Sequence, residues 1–209
     1  MPYTNNDEDW SVYVQMVGDK KSYVNIHSHA QQATSVIKLF VMGAVYENYE
    51  KVSATYGKDV VNQNLREMIT ISSNDNYEQG DQIITNWAKI HGYIDTSTCD
   101  DLGENYTSVK DAAHVIYDIY HQKLPYSNAM LTLLKQQTRT TKIPDGIPDG
   151  IVTGNKTGEL DDTENDVAII YGKDHTYILS VMATNLSSTE NAQQMIRDIS
   201  TIVYGYLNP

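Results

Sequence analysis

The stretch Ala33-Thr-Ser-Val-Ile-Lys-Leu-Phe-Val-Met-Gly-Ala-Val-Tyr46 decides how the rest of the chain is organised. From Val36 to Val45 almost every residue is apolar or small, and Lys38 is the exception. A helix that is hydrophobic all round must be buried, because no face of it suits water. The stretch therefore predicts a central core helix that extends to about Tyr49 and carries Lys38 in its first turn.

Lys38 and Ser35 are the residues of this stretch that could carry chemistry. A buried, unpaired ammonium is costly, so such a lysine either finds partners or loses its proton. Ser35 lies three residues earlier on the same helix face, at a helix N-terminus that favours developing negative charge. A hydroxyl beside an amine in that position is typical of an activated serine nucleophile. The stretch alone leaves a second interpretation open, in which Ser35 lies near the N-cap and Lys38 extends to the surface.

The composition limits the classes of protein to which the chain can belong. Its 209 residues fit a single domain, residues 1–209, with a sizeable core. A formal charge of −12 argues against nucleic acid and anionic membrane surfaces as partners, and no apolar run reaches the length of a membrane span. Cys99 is the only cysteine, which excludes an intrachain disulfide and a cysteine metal cluster.

Two histidines, His27 and His29, flank Ser28 where a predicted strand ends. Histidines this close together suggest a metal site, since imidazole is a common metal ligand. The sequence shows no third ligand for such a site. We therefore interpret the pair as the end of the strand and expect no metal.

The order of the predicted elements indicates a mixed α/β fold. We expect strands at residues 10–17, 22–27, 151–157, 167–171 and 177–184, and further helices at residues 64–71, 76–90, 108–122, 127–137 and 189–207. The segment 92–105 is interpreted as loop, and the acidic stretch 161–166 as an exposed hairpin tip. The helix at 76–90 would present one apolar face, formed by Ile83, Ile84, Trp87 and Ile90.

Sequential hairpins at both chain ends predict an antiparallel sheet whose edge strands come from both ends of the chain. Residues 1–30 and 140–209 would form this sheet lobe. Residues 31–139 would form a helical lobe beside it. A ligand is expected between the two lobes, where binding sites are commonly found.

Two further motifs follow the Ser35-x-x-Lys38 pair. Ser72-Ser-Asn74 comes after a predicted short helix, and Lys156-Thr-Gly158 lies on the first of the late strands. Ser-x-x-Lys, Ser-x-Asn and Lys-Thr-Gly, in this order, are the motif set of class A β-lactamases and penicillin-binding proteins. On these motifs, and on an ending of three strands and a long helix, the chain resembles the class A β-lactamase-like family over most of its length.

The resemblance implies an α/β (α+β) fold, with a five-stranded antiparallel sheet flanked by helices and an all-helical lobe. It also implies a serine β-lactamase-type hydrolase that β-lactams acylate at Ser35 and that deacylates slowly. Two alternatives stay open: a penicillin-binding or D-Ala-D-Ala peptidase-like protein, and a non-catalytic wall-binding or sensor module. The expected partner is a small molecule, either a β-lactam or an acyl-D-alanyl peptide.

The same resemblance implies a monomer that needs neither a metal nor an organic cofactor. It implies an extracytoplasmic location, with the protein secreted or anchored through a segment that this sequence does not include. Four catalytic roles are implied as well. Ser35 resembles the nucleophile and Lys38 the base or proton relay. Ser72 would pass a proton to the leaving nitrogen, while Lys156 would hold Ser72 and attract a substrate carboxylate.

Substrate-binding positions are carried over from the same motifs. Asn74 would contact the amide side chain of the substrate, and Thr157 would hydrogen-bond its carboxylate. The oxyanion hole would consist of the backbone N–H groups of Ser35 and Glu159. Gly158, between Thr157 and Glu159, completes the implied substrate-binding set.

The chain departs from the family pattern in two places. Ser73 stands where the family usually has an aspartate, which weakens local bracing more than chemistry. Between Ile90 and Tyr106 the chain also lacks the Glu-x-x-Leu-Asn motif, whose glutamate activates the deacylating water. Glu104 is the nearest substitute for that base, although its position also fits, and more simply, an exposed acid before a helix; Asp100 and Asp101 come next.

Overall fold

The computed structural model describes residues 7–18, 23–74, 81–98 and 104–209. Its strands are β1 (Asp9–Met16), β2 (Tyr23–Ile26), β3 (Gln31–Gln32), β4 (Ser97–Thr98), β5 (Asn105–Thr107), β6 (Val152–Leu160), β7 (Thr163–Tyr171) and β8 (Thr176–Thr184). Its helices are α1 (Lys38–Glu47), α2 (Tyr49–Tyr56), α3 (Lys58–Thr70), α4 (Asp81–Ile90), α5 (Val109–Tyr120), α6 (Ser127–Lys135) and α7 (Thr189–Leu207).

Five of the strands form one antiparallel sheet in the order β2-β1-β8-β7-β6. Strands adjacent in sequence pair as hairpins, and the pairing of β1 with β8 joins the two ends of the chain. The predicted five-stranded antiparallel sheet flanked by helices is therefore confirmed, with β2 and β6 at its edges. Because β6 is an edge strand, one side of its backbone is free for a neighbour other than a strand.

Both faces of this sheet are buried, and successive side chains of a strand point to opposite faces. Val167, Ile169 and Ile178 belong to the core that also contains residues of α1 and α5. Ala168 and Ile170, which point the other way, pack with residues of α7. The sheet is thus a central layer between helices, and β7 and β8 are buried on both faces.

The apolar stretch that begins at Ala33 lies in the centre of the core, as predicted, with Leu39, Phe40 and Met42 each 0% exposed. The helix is nevertheless divided. A 3-10 turn at Thr34–Ile37 precedes α1, and α1 ends at Glu47 before a separate α2. Ser35 consequently lies in the 3-10 turn, and Lys38 is the first residue of α1.

Residues 31–139, predicted to be helical, also contain a three-stranded sheet in the order β3-β5-β4. This small sheet pairs Gln31–Gln32 with Asn105–Thr107, and the Ala33 N–H donates to the Asn105 carbonyl at 2.9 Å. The prediction of loop throughout residues 92–105 is therefore wrong, because β4 lies within that segment and β5 begins there. The pairing fixes the backbone that leads into Ser35.

The prediction of an exposed hairpin tip at residues 161–166 is also wrong beyond its first two residues. Asp161 and Asp162 form the turn, and β7 begins at Thr163. Glu164 and Asp166 are buried because polar groups from elsewhere bond their carboxylates. Gln193 Nε2 donates to Glu164 at 2.8 Å, and the Ile143 N–H donates to Asp166 at 3.0 Å. Such partners make a buried carboxylate tolerable, and their distance along the chain hides them from the sequence pattern.

Helix α4 buries only half of the predicted apolar face. Ile84, Trp87 and Ala88 are buried at helical spacing, whereas Ile83 and Ile90 are 65% and 82% exposed. Gly43 of α1 accommodates the Trp87 ring, since a Cβ at Gly43 would overlap it. The close contact between α1 and α4 thus depends on a glycine.

Helix α7 covers one face of the sheet and is well defined at its start. The Ser188 side chain accepts a hydrogen bond from the Asn191 N–H at 3.3 Å, which is a typical N-cap. Its buried side includes Ala192, Met195 and Ile196. In the ranges that the structure describes, no helix combines the length and apolarity that crossing a membrane requires.

Candidate active site

Ser35 lies where the edge strand β6 passes closest to the 3-10 turn. A Cβ at Gly158 would collide with the Thr34 side chain and lie 3.0 Å from the Ser35 nitrogen. Only glycine allows the strand backbone to approach the serine this closely. The N–H groups at the start of a helical segment have no intrahelical acceptor, so the turn presents donors at this point.

Lys38 is only 2% exposed, and it contacts oxygen atoms that carry no formal charge. Its Nζ lies 3.1 Å from Ser35 Oγ, 2.9 Å from the Ser72 carbonyl oxygen and 2.6 Å from Asn74 Oδ1. Burial, assisted by the positive charge of Arg139, lowers the pKa of Lys38 to about 8. About a tenth of the lysine is therefore neutral at pH 7 and can accept a proton.

Ser72 follows α3 in a left-handed conformation, with φ at 62°. Such a backbone is uncommon for a residue other than glycine and persists where its surroundings impose it. The end of α3 is bonded to the segment after α6, through Gln137 Nε2 to the Ile69 carbonyl at 2.7 Å and Thr138 N–H to the Thr70 carbonyl at 3.0 Å. The Ser72 hydroxyl is held 3.4 Å from Lys38 Nζ.

Lys156 completes the group from the β6 side. It is 0% exposed, and its Nζ donates to Ser72 Oγ at 2.9 Å and to the Thr157 carbonyl at 2.7 Å. Burial, together with the nearby charge of Lys38, lowers the pKa of Lys156 well below its usual range. One continuous set of contacts therefore joins Ser35 to Lys38, Ser72 and Lys156.

Two buried charged residues that support β6 were missed in the sequence. Lys142 Nζ donates to the Gly158 carbonyl at 3.2 Å and forms ion pairs with Glu159 and Glu164. Asp166 accepts a hydrogen bond from Asn155 Nδ2 at 3.0 Å, and burial raises the pKa of Asp166 to about 6. For Asp166 the available signal was an acidic stretch next to apolar strand residues, which does not include Lys142.

The comparisons with known proteins show the family and the fold of the chain. A family described as "Beta-lactamase enzyme family" matches residues 55–207, about three quarters of the chain. The chain belongs to the β-lactamase enzyme family. This family consists of β-lactamase-like serine hydrolases that act on small-molecule substrates. No curated protein matches the chain.

Solved structures of similar fold align with nearly the whole length of this β-lactamase family member. It is similar to PBP-A, at 17% identity and a TM-score of 0.84 over 98% of this chain and 91% of that one. The extended-spectrum β-lactamase TLA-1 is 17% identical, with a TM-score of 0.85 over 98% and 95%. A β-lactamase from Sphaerobacter thermophilus is 20% identical, with a TM-score of 0.82 over 97% and 93%. At these identities the likeness shows the fold alone.

The substrate-binding positions carried over from the family motifs all have protein partners. Asn74 Oδ1 contacts Lys38, and Thr157 Oγ1 donates its only proton to the Asn165 carbonyl at 3.0 Å. The Glu159 carboxylate lies 3.2 Å from Arg139 Nη1. Arg139, which none of the three sequence motifs contains, is thus a further cation beside β6.

The candidate deacylation base does not join this group. Glu104 is exposed, and its carboxylate accepts a hydrogen bond from the Tyr106 hydroxyl at 2.7 Å. Among the described residues, no hydrogen bond connects Glu104 to Ser35 or Lys38. The other two candidates, Asp100 and Asp101, lie outside the described residues.

Proposed function

We propose that this β-lactamase family member is a serine hydrolase that β-lactams acylate at Ser35 and that releases the acyl group slowly. The observation that carries the proposal is the continuous set of contacts from Ser35 through Lys38 and Ser72 to Lys156. It contains a nucleophile, a base with a neutral fraction and a proton donor within hydrogen-bonding reach. Neither a metal ion nor an organic cofactor has a step in this chemistry.

The contacts of Lys38 suit the neutral amine as well as the ammonium. A neutral amine has two protons, and the Ser72 carbonyl and Asn74 Oδ1, at 2.9 and 2.6 Å, can accept both. Its lone pair then faces Ser35 Oγ at 3.1 Å. Lys38 can therefore take the Ser35 proton as the oxygen attacks the lactam carbonyl, which forms a C–O bond and a tetrahedral oxyanion.

The oxyanion would be bound by the N–H groups of Ser35 and Glu159. In the β6–β7 hairpin, Leu160 pairs with Thr163 across a two-residue turn, so Leu160 and Gly158 bond to β7. By alternation, the N–H of Glu159 faces away from β7, toward the open side of the edge strand. The close approach of Gly158 to the Ser35 nitrogen brings both donors to one place.

Collapse of the tetrahedral intermediate would break the lactam C–N bond, and the leaving nitrogen needs a proton. The Ser72 hydroxyl would supply it and regain one from protonated Lys38, whose Nζ lies 3.4 Å from Ser72 Oγ. Lys156 holds the same hydroxyl at 2.9 Å, which fixes its direction. Three proton transfers, from Ser35 to Lys38, from Lys38 to Ser72 and from Ser72 to the leaving nitrogen, thus complete the acylation step.

The charge around the site favours an anionic substrate. Lys38, Lys156 and Arg139 are close enough that each positive charge acts on its neighbours, and burial strengthens such interactions. A carboxylate on the substrate would relieve this repulsion, although the chain as a whole carries a formal charge of −12. β-Lactams and acyl-D-alanyl peptides both carry a carboxylate near the bond to be broken.

The surroundings of the site support slow deacylation. In the described ranges, no carboxylate makes a hydrogen bond to Ser35 or Lys38, and the candidate base Glu104 is bonded to the Tyr106 hydroxyl instead. A single-residue variant of PBP-A has been solved as an acyl-enzyme complex with penicillin G, which supports acylation of this fold by a penicillin. A D-Ala-D-Ala peptidase-like protein is the second candidate, and a non-catalytic module the third.

The experiment that tests acylation is intact-mass spectrometry after incubation with benzylpenicillin, followed by peptide mapping. We expect one adduct, on Ser35, and none in Ser35→Ala. Ser53→Ala is the matched control, because the Ser53 hydroxyl is buried without a hydrogen-bond partner among the described residues and its loss should change nothing. An adduct that persists in Ser35→Ala, or maps to another residue, would contradict the proposal.

The location outside the cytoplasm stays a prediction that rests on the family resemblance alone, as does the monomeric state. Cell fractionation of the source organism, with detection by antibody, would test the location. Recovery only in the cytoplasmic fraction would contradict it. Light scattering of the purified chain would test the oligomeric state.

A further inference from the structure

Outside the active site, Asp9, His27 and His29 converge where three strands meet. Asp9 begins β1, His27 directly follows β2, and His29 lies just before β3. One ligand atom from each residue lies within 4.8 Å of the other two. The side chains of His29 and Asp9 are 44% and 31% exposed, so an ion from solvent can reach them.

The hydrogen bonds of His29 leave one ring nitrogen directed at the cluster. Its Nδ1 lies 2.6 Å from the His27 carbonyl oxygen, which can only accept, so Nδ1 carries a proton. The other nitrogen, Nε2, points at Asp9 Oδ2 at 2.8 Å. Metal-binding histidines commonly donate their second N–H to a backbone carbonyl in this way, which fixes the ring and its tautomer.

His27 is brought to the cluster by an unusual backbone. Its φ is 59°, in the left-handed region that non-glycine residues seldom adopt. The Ser11 hydroxyl donates to the His27 carbonyl at 2.7 Å and holds this conformation against β1. As a result the rings of His27 and His29 lie nearly perpendicular, with centroids 6.0 Å apart.

We propose that Asp9, His27 and His29 form a binding site for a divalent transition-metal ion, with zinc as the expected occupant. Two imidazoles and a carboxylate suit Zn²⁺, which commonly takes three protein ligands and a water, whereas Mg²⁺ and Ca²⁺ prefer oxygen ligands. The Asp95 carboxylate acts electrostatically on His29 and adds negative charge beside the site. The cation would bind Asp9 and both histidines. It would replace the proton between His29 Nε2 and the Asp9 carboxylate.

The site would act on the structure and not on the chemistry of Ser35. It joins β1 to the segment between β2 and β3, and β3 is followed closely by the 3-10 turn of Ser35. An ion that binds only the folded chain stabilises it in proportion to occupancy. At a zinc concentration about 100 times the dissociation constant, the melting temperature should rise by roughly 5–10 °C.

Calorimetric titration of the chelator-treated full chain with ZnCl₂ tests the proposal. We expect one ion per chain with a dissociation constant in the micromolar range, and no competition by MgCl₂. His29→Ala and Asp9→Asn should each weaken binding at least tenfold, while the control His175→Ala, an exposed histidine elsewhere, should leave it unchanged. Binding only above millimolar zinc, or binding unaffected by His29→Ala, would overturn the proposal.

An NMR titration of the histidine ring resonances in the unmutated chain gives an answer that does not depend on the folding of any variant. Zinc should shift or broaden the signals of His27 and His29. The other four histidines, His91, His114, His121 and His175, should be unaffected. Changes confined to those four, or spread evenly over all six, would contradict the site.

Discussion

Two groups of buried lysines beside strand β6 differ in their partners. Lys142 is bonded to two carboxylates, those of Glu159 and Glu164. Among the described residues, the hydrogen bonds of Lys38 and Lys156 go only to hydroxyl, amide and carbonyl oxygens, and burial lowers the pKa of each lysine. A buried lysine with carboxylate partners stays charged and stabilises the fold. A buried lysine without such partners has a lowered pKa and can exchange protons.

The largest expected effect is on acylation in Lys38→Met, which removes the amine and keeps the length of the side chain. General-base assistance contributes about 10²–10⁴-fold, so the rate of adduct formation with benzylpenicillin should fall by about that factor. Rapid-quench mass spectrometry measures this rate. Acylation at the unmutated rate in a folded Lys38→Met variant would remove Lys38 from the mechanism.

The second effect concerns stability and involves Lys142. Lys142→Met leaves the buried Glu164 carboxylate without its cation, and breaking such a pair costs about 3–5 kcal/mol of unfolding free energy. Urea unfolding should show this loss in Lys142→Met and a smaller change in Lys38→Met. The double variant Lys142→Met with Glu164→Gln should recover part of it. Equal losses of unfolding free energy in Lys142→Met and Lys38→Met would contradict the proposed difference between the two kinds of lysine.

A third effect is the pH dependence of acylation. The neutral form of Lys38 is the base, and its pKa is about 8, so the rate should rise about tenfold per pH unit below that value and level off above it. Because the positive charge of Arg139 lowers this pKa, Arg139→Gln should move the midpoint to higher pH. Lys123→Gln, which removes a distant exposed charge, is the control. A midpoint that does not move would mean that Arg139 has no influence on Lys38.

Much of the fold could be predicted because its signals are local. Each signal lies within a short segment of the chain: the apolar stretch after Ala33, each of the late strands and each of the three motifs. The strand patterns predict the sheet, and the Ser-x-x-Lys spacing predicts the contact between Ser35 and Lys38. The part that could not be predicted depends on partners far apart in sequence. Lys142 meets Glu164 and Asp9 meets His29 only because the sheet brings distant segments together.

The same reason explains the wrong details. The carboxylates of Glu164 and Asp166 were interpreted as exposed because their donors, Gln193 and Ile143, lie more than twenty residues away. The same holds for the proposed metal site, because Asp9, the proposed third ligand beside His27 and His29, lies about twenty residues earlier. Charge along a sequence shows which residues need partners, but not where those partners are.

The measurement that tests the central claim most directly is the fate of the acyl group on Ser35. Excess benzylpenicillin is added, and intact mass and steady-state hydrolysis are followed in the same sample. We expect an adduct that forms readily and persists, with slow turnover. Turnover on the order of 10²–10³ s⁻¹ without a persistent adduct would contradict the account. If Glu104→Gln then abolished that turnover, Glu104 would be the deacylation base, and if not, Asp100 and Asp101 would be tested next.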